Sequence, residues 1–429
     1  MVEAENYTED PDLIQRVNEI CKERQPFKHI QAMDYPRMAG SPESDQAVEY
    51  IANVFKDYGY TPVIEEFFLP EHHLLPKLLL PLLIITWGIL SCLNVFLSSG
   101  IGEYIIAFLI LLVPILVLVV IFKLEIFFKK MIDGNYKKIQ KLTKLIENGE
   151  YKGAIKKGKN IYVEYVPEEY NTHLYITAHH DSTTLKLSMK VIRLCMVVGF
   201  LSGIIYISIF LIHYLLKLAS GFDLVSKNPI FFIVLLGIFL ISLSFVLISR
   251  AFRTNKSHGA IDNLTGTSVI LELANLVKLL KPKLKITFIA FAAEEVGLFG
   301  SAYHYNTHKE SFESEKIHIV SIDMVGEIPP LSFVKKIKPF LGIPMDLTFN
   351  DQIKKLAQRL GIDLKFRKFI YPGSDFACWF LNGYPANWVM TPSKYIHSEQ
   401  DIAQNVNQDL LVACLKLFTA YFLEHKDIN

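Results

Sequence analysis

Four long runs without a charged side chain interrupt this 429-residue chain: Leu78–Leu97, Tyr104–Phe122, Leu194–Leu216 and Pro229–Ser249. They are 20, 19, 23 and 21 residues long, against the roughly 20 that cross a bilayer as a helix. Buried helices of water-soluble proteins rarely stay uncharged for that length, so four transmembrane helices are expected. Pro81 and Pro114 are tolerable inside such helices, where neighbours re-satisfy the freed backbone groups. The runs pair into two hairpins, the first turning near Ser98–Glu103. Two crossings return the chain to the side it left, so every polar segment is expected on one side of the bilayer.

Lysine and arginine near the run ends select that side. Twelve of them, from Lys77 to Lys256, flank the polar segments, and two, Lys217 and Lys227, fall in the opposite loops. The positive-inside rule then places the polar part in the cytoplasm. A basic patch for lipid head groups predicts the same side; a lumenal or extracellular enzyme is the alternative. The acidic stretch Met1–Asp10 does not read as a signal peptide. Charge is balanced, 44 basic against 43 acidic residues, which argues against nucleic acid as a partner. Cys21, Cys92, Cys195, Cys378 and Cys414 are scattered with no pairing or metal spacing, as in a reduced compartment.

The polar segments carry the signature of an α/β fold. Ser44–Tyr58 has a helical apolar stripe closed by Gly59, and Thr61–Phe68 reads as a strand. Residues 123–159 are strongly basic. Asn160–Val166 and His173–Ala178 read as strands, and from Arg250 onward strands and helices alternate. Helices are expected over Ile261–Leu280, Asp346–Leu360 and Asn407–Glu424, with strands over Leu284–Ala293, Ile317–Met324 and Ala386–Val389. That alternation implies a mostly parallel mixed sheet flanked by helices. The expected division is 1–73, 129–189 and 251–429 for one catalytic domain, with transmembrane hairpins at 74–128 and 190–250.

Polar clusters stand at the ends of these strands. Glu294-Glu295 follows the strand Leu284–Ala293, and Gly297 is expected to start a short helix. An isolated Glu-Glu pair is usually a solvated surface. Here it is joined by His179-His180-Asp181, by Asp262-Asn263 at the head of a helix, by Asp323 and by His397-Ser398-Glu399-Gln400-Asp401. Strand ends are where open α/β sheets bind ligands. Two imidazoles with several carboxylates are a ligand set for zinc.

The order His-x-Asp, Gly-Ala-x-Asp-Asn, Glu-Glu-x-Gly-x-x-Gly-Ser, Asp and His-Ser-x-x-Asp resembles the co-catalytic di-zinc aminopeptidases of metallopeptidase family twenty-eight. Arg37-Met-Ala-Gly40-Ser41 and Gly373-Ser374-Asp375 also look like family elements, and the resemblance covers 1–70, 157–183 and 257–429. It implies a zinc-peptidase-like fold and two Zn2+ ions, with cobalt or manganese as possible substitutes. Asp262 would bridge the ions, His179 and Asp323 would hold one, and Glu295 and His397 the other. Glu294 would be general base and acid, and Asp181 would hydrogen-bond the far nitrogen of His179. A cis peptide after Asp262 is also implied. His180 is not expected to be a ligand. His213 is expected to snorkel or to hydrogen-bond between helices, and His72, His73, His304, His308 and His425 to be solvated. Asp375 is left open between a structural role and the substrate pocket, and Phe376, where many relatives have a polar residue, leaves the specificity pocket open too.

Together these features describe a membrane-embedded zinc metallopeptidase, an aminopeptidase acting on peptide substrates beside the lipid bilayer. An amidohydrolase, deacylase or carboxypeptidase on acylated or lipidated amino acids or peptides is the enzymatic alternative, and an inactive membrane scaffold the non-enzymatic one. A single-zinc glutaminyl cyclase fits less well, because both His179 and His397 are present. Only 13 residues separate Asp181 from Leu194 and Ser249 from Asp262, at most about 47 Å of extended chain. The catalytic mouth is therefore expected near the bilayer, favouring hydrophobic or membrane-delivered peptides, with plain anchoring as the alternative.

Overall fold

The computed structural model describes residues 9–71, 74–97, 100–122, 124–337, 343–369 and 371–426. The expected solvation of His72 and His73 lies outside them. The chain forms two compact units. One combines residues 1–70, 124–184 and 255–429, and the other residues 71–123 and 185–254.

The first unit is built on a mixed sheet. Its strands lie in the order Val63–Phe68, Lys157–Tyr165, Lys285–Phe291, His173–His179, Ile317–Ile322, Ala386–Met390, Leu331–Ile337 and Leu364–Phe369, with the short strand Ile343–Pro344 beside Leu331–Ile337. Lys285–Phe291, His173–His179, Ile317–Ile322 and Ala386–Met390 run parallel. Lys157–Tyr165 joins them antiparallel, as Val63–Phe68 joins it. His173–His179 and Ile317–Ile322 are buried at every position, which explains their near-continuous apolar sequence in place of alternation. Parallel register brings His179 opposite Phe291. The carboxyl ends of three central strands, and with them His179, the Glu294-Glu295 turn and Asp323, therefore open at one edge.

Helices cover the sheet. Pro42–Asp57 starts on the Ser41 hydroxyl, which accepts the Ser44 amide, and buries Ala47, Val48, Ile51, Ala52 and Phe55. Thr265–Leu280 buries nearly its whole length in the largest core. It begins later than the periodicity indicates, because Asp262 (φ −119°, ψ 87°) and Asn263 (φ −140°, ψ 48°) are not helical. The helix after the glutamate pair starts at Phe299, not Gly297, and runs 14 residues. Gly297 (φ 126°) and Leu298 (φ 60°) are left-handed turn residues that cannot begin it. The basic stretch contains the helix Leu124–Glu147, which buries Ile132, Ile139 and Leu142 and leaves its lysines facing water. The strands Leu331–Ile337 and Leu364–Phe369, unforeseen in the sequence, lie toward one edge of the sheet, where Lys335, Lys336, Lys365 and Lys368 interrupt the apolar pattern.

The second unit is helical: Leu74–Leu97, Ile101–Phe122, Met189–Ser220, Leu224–Lys227 and Pro229–Ala251. Among the described residues two helices are long and apolar enough to cross a membrane, Met189–Ser220 and Pro229–Leu247, whereas the apolar stretches Pro81–Phe96 and Ile101–Val113 are shorter. Four such helices were expected and two meet that measure. The polarity of the unit is inverted relative to a soluble domain. Phe108, Phe200, Leu218 and Ile230 are 62–76% exposed, while Ser91, Asn94, Glu103 and His213 are buried. Inside, Lys217 pairs with Glu103 at 2.6 Å and Asn94 Nδ2 donates to the Tyr214 hydroxyl at 2.7 Å. His213 departs from expectation: it is fully buried and neither ring nitrogen is hydrogen-bonded, Nδ1 standing 3.6 Å from Asp223.

The turn after Lys285–Phe291 packs closely enough to require glycine at 300. A Cβ there would lie 2.2 Å from the Ala292 carbonyl oxygen and 2.4 Å from Asn160 Oδ1. Gly300→Ala is expected to destabilise the first unit by about 1–3 kcal/mol, read as a lowered unfolding midpoint in denaturant. An unchanged midpoint would show that strand, turn and helix are not packed as described.

Candidate metal centre

Each predicted ligand owes its position to a strand end, a helix head or a strained turn. His179 is the last residue of its strand, and Asp323 follows Ile317–Ile322 with its amide on the Val389 carbonyl at 2.9 Å. Glu294 and Glu295 sit in a turn entered through Ala293 at φ 59° and closed by Gly297 N–H on Glu294 O and Gly300 N–H on Ala292 O. Met324, after Asp323, and His397 itself also have positive φ, 61° and 57°. Non-glycine residues held in that region cost free energy and cluster where a site demands it. The Asp262–Asn263 peptide is cis, as the resemblance implies.

All five predicted ligands converge with Glu294. His179 Nε2 stands 3.1 Å from Asp262 Oδ1, 3.5 Å from Asp323 Oδ1 and 3.9 Å from Glu294 Oε2. His397 Nε2 stands 3.2 Å from Asp262 Oδ2 and 3.0 Å from Glu295 Oε2. Two triads result, His179–Asp262–Asp323 and Asp262–Glu295–His397, with the donor atoms of each within 4.8 Å of one another. Asp262 gives one oxygen to each. Residues spread over 219 positions of sequence thus share one small volume.

The donor set fits divalent cations. Asp262, Glu295, Asp323 and His179 are all nearly inaccessible, and Asp323 Oδ1 and His397 Nδ1 have no hydrogen-bond partner. Burial, reinforced by the charges of Glu295, Asp375 and Asp323, pushes the Glu294 carboxyl well above the usual range. Burial and the neighbouring carboxylates likewise raise Asp323. His179 and His397 are raised well above an ordinary imidazole, because the surrounding carboxylates outweigh burial. So dense a set of buried carboxylates calls for positive charge beyond what two imidazoles supply.

A surrounding layer fixes the donors. Asp401 accepts the amides of Ile261 at 2.6 Å and Asp262 at 3.2 Å, holding the bridging carboxylate from behind. Arg37 is wholly buried, its guanidinium satisfied by the carbonyls of Met33, Tyr35, His180, His258 and Gly259, so one side chain ties the His179 and Asp262 segments together. Burial lowers it to about 10, which still leaves it charged at neutral pH. Neither residue was assigned a role from sequence, although Asp401 closes the His-Ser-x-x-Asp motif and Arg37 opens Arg37-Met-Ala-Gly-Ser41. Asn263 donates to the Ile322 carbonyl and accepts from the Gly266 and Met324 amides, pinning the helix head to the Asp323 strand.

Other expectations change. Asp181 does not hydrogen-bond His179 through its carboxylate, which is 3.6 Å away; its main-chain oxygen takes that place at 3.2 Å. The carboxylate instead accepts the amides of Glu294 at 3.1 Å and Glu295 at 3.3 Å. His180 is outside both triads, with Nε2 on the Lys159 carbonyl. Asp375 is buried with neither oxygen hydrogen-bonded, and burial pushes it up to about 8. His304 is buried, not solvated, because its helix face packs against the strand carrying Glu65. His308 and His425 are partly exposed.

With this geometry in hand, comparison with known proteins is informative. Residues 245–422 match the profile of peptidase family M28. A segment is 46% identical over 71 residues to aminopeptidase YwaD of Bacillus subtilis, covering 16% of this chain and 15% of that protein. The chain is also 41% identical over 68 residues to a probable zinc metalloprotease of Pyrenophora teres f. teres, covering 16% of this chain and 14% of that protein. The chain thus aligns with only about a seventh of the length of the curated relatives it matches. In fold it is similar to an aminopeptidase from Aneurinibacillus sp. strain AM-1, with TM-score 0.54 and 15% identity over 96% of each chain. It is also similar to a zinc aminopeptidase from Bacillus subtilis, with TM-score 0.50 and 14% identity over 99% of this chain and 97% of that one.

Asp401→Asn keeps the shape of the side chain but turns an N–H donor toward a backbone amide. Outer residues of this kind commonly contribute 10–100-fold to metal affinity. The variant is expected to lose zinc to a competing chelator at about 10–100-fold lower chelator concentration while staying folded. Unaltered retention would remove Asp401 from the positioning layer.

Proposed function

We propose that this protein is a zinc-dependent peptide hydrolase, an aminopeptidase, with its catalytic unit carried on a membrane-embedded helical unit. The observation that carries the catalytic reading is the pair of triads sharing Asp262, with Glu294 beside them, so that four carboxylates and two imidazoles converge in one nearly buried volume. His179 and Asp323 would hold one ion, Glu295 and His397 the other, and Asp262 both. Two such ions, when bound, acidify water and polarise a carbonyl. The M28 match and the zinc and aminopeptidase relatives support the same reading.

The chain's own residues then divide the remaining work. Glu294 is the least constrained carboxylate of the cluster: its side chain keeps 13% exposure and ligates neither triad. It faces the opening, where it takes a proton from the attacking water and passes it to the departing amine nitrogen. A carboxyl raised by burial suits that exchange, since a base is most effective with a pKa near the working pH. Asp181 holds the Glu294 and Glu295 amides and so fixes the base relative to the ligands. Asp401 and Arg37 fix the bridging residue and the His179 strand end in the same way.

The membrane reading rests on the inverted second unit, whose large apolar side chains face outward and whose charged and amide groups are paired inside. Exposed apolar surface of that extent is stable in lipid and aggregates in water. Lysine and arginine counts favour a cytoplasmic catalytic unit.

Glu294→Gln is expected to keep the zinc content of the purified protein and to lower kcat on an unblocked peptide by at least about 100-fold; full turnover would refute the assignment. Acetylating the substrate's amino group should abolish cleavage, and retained cleavage would point to deacylase or endopeptidase chemistry. Alkaline carbonate is expected to leave the protein in the membrane pellet, and release into the supernatant would overturn the embedding.

A further inference from the structure

A second cluster with metal-ligand chemistry lies in the catalytic unit and shares no residue with the first. Glu65, on the strand Val63–Phe68, points at two histidines of the helix Phe299–Phe312. His304 Nδ1 is 2.8 Å from Glu65 Oε2, and His308 Nε2 is 2.6 Å from Glu65 Oε1. Spacing of four residues places both imidazoles on one helix face, and the three donor atoms lie within 4.8 Å of one another. Two histidines and a glutamate are a common protein ligand set for zinc with one position left open.

We propose that Glu65, His304 and His308 form a separate site for a zinc-class divalent cation, with water completing the coordination. At zinc's bond lengths neighbouring donors of a tetrahedral site stand roughly 3.3 Å apart. The two histidine–carboxylate contacts, 2.8 and 2.6 Å and each to a different oxygen of Glu65, would lengthen by roughly 0.5–0.7 Å to reach that spacing. With neutral imidazoles it carries the single negative charge of Glu65, which favours a cation. Access is available from the His308 side, where the side chain is 34% exposed, while His304 is 3% and Glu65 11% exposed.

The state of His304 favours a cation over a purely hydrogen-bonded clamp. In a clamp, Nδ1 carries the proton and donates to Glu65, which leaves Nε2 as a bare lone pair. That atom is buried without a hydrogen-bond partner, and the ring lies among Tyr175, Phe291 and Trp379. A cation on Nδ1 moves the proton to Nε2, and an N–H among aromatic rings finds weak acceptors where a lone pair finds none.

The site also has a link to the catalytic turn. Asn160 is fully buried; its Nδ2 donates to Glu65 Oε2 at 3.3 Å and to Gly300 O at 3.0 Å, and its Oδ1 accepts the Ala292 amide at 3.1 Å. Ala292 and Gly300 bracket Glu294 and Glu295. A cation that fixes Glu65 therefore fixes the side chain that holds both ends of the turn.

The test is zinc stoichiometry by equilibrium dialysis of the untagged full-length protein in detergent, followed by elemental analysis. His308→Ala is expected to bind one zinc ion per chain fewer than wild type, and the same one-ion difference is expected in a Glu294→Gln background, where turnover plays no part. Glu65→Gln, which preserves shape but removes the charge and replaces one of the two acceptor oxygens by an NH2 donor, is expected to show the same loss and serves where His308→Ala fails to fold. Added zinc should raise the melting temperature of wild type more than that of either variant. Equal zinc content in wild type and both folded variants would overturn the site and leave Glu65 as a hydrogen-bonded clamp. Because the comparison is a difference within the second cluster, it stands or falls apart from the peptidase reading.

Discussion

Electrostatic crowding around Asp262 is the constraint on which the first unit depends. Four carboxylates and two imidazoles occupy a volume nearly closed to water, and no lysine or arginine reaches the donor atoms among the described residues. Burying like charges this closely is unfavourable unless cations or protons offset them. Asp262 distributes the problem by giving one oxygen to each triad. The outer layer answers with fixed dipoles and one fixed charge: amides from residues 261 and 262 on Asp401, amides from residues 294 and 295 on Asp181, and the buried Arg37 guanidinium.

Strain and close packing accompany this arrangement. Ala293, Met324 and His397 take left-handed backbone conformations beside or within the donor set. At Gly266 a Cβ would stand 2.1 Å from the Ile322 carbonyl oxygen, so the helix following Asp262 is pressed directly onto the strand that ends at Asp323. Backbone is thereby committed to aiming side chains, and the stability that this removes is supplied by the large apolar core beneath, where Thr265–Leu280 is buried over nearly its whole length and His173–His179 and Ile317–Ile322 at every position.

The helical unit distributes its side chains the other way round. Its exterior is Leu, Ile, Phe and Val, and its interior holds Ser91, Asn94, Glu103 and Tyr206, paired with one another or with neighbouring helices. That distribution is what the proposed membrane setting would require, because an unpaired polar group in an apolar medium is expensive and turns inward to find partners. His213 is the exception, buried with no hydrogen bond at either nitrogen.

Much was legible from the chain alone because the signals were local. Uncharged runs, strand-like segments ending in carboxylates or histidine, and the motif order identified the donors by number, and every one of them arrives at the same place. Less legible were features made by contacts distant in sequence. Arg37 heads a family-like motif but has no role of its own in the sequence until five carbonyls from three segments close on it. The Asp181 carboxylate turns away from His179 because the Glu294 and Glu295 amides, 113 and 114 residues later, compete for it. His304 reads as solvated because its helix has no apolar stripe, and only the packing of Val63–Phe68 beside it shows that it is buried against Glu65. Sequence by itself singled out which residues would make up the donor set and where the chain turns apolar, since both depend on residue type and short-range spacing. Tertiary structure decided which lone pairs face which donors, because hydrogen-bond geometry and desolvation are settled only when distant segments meet.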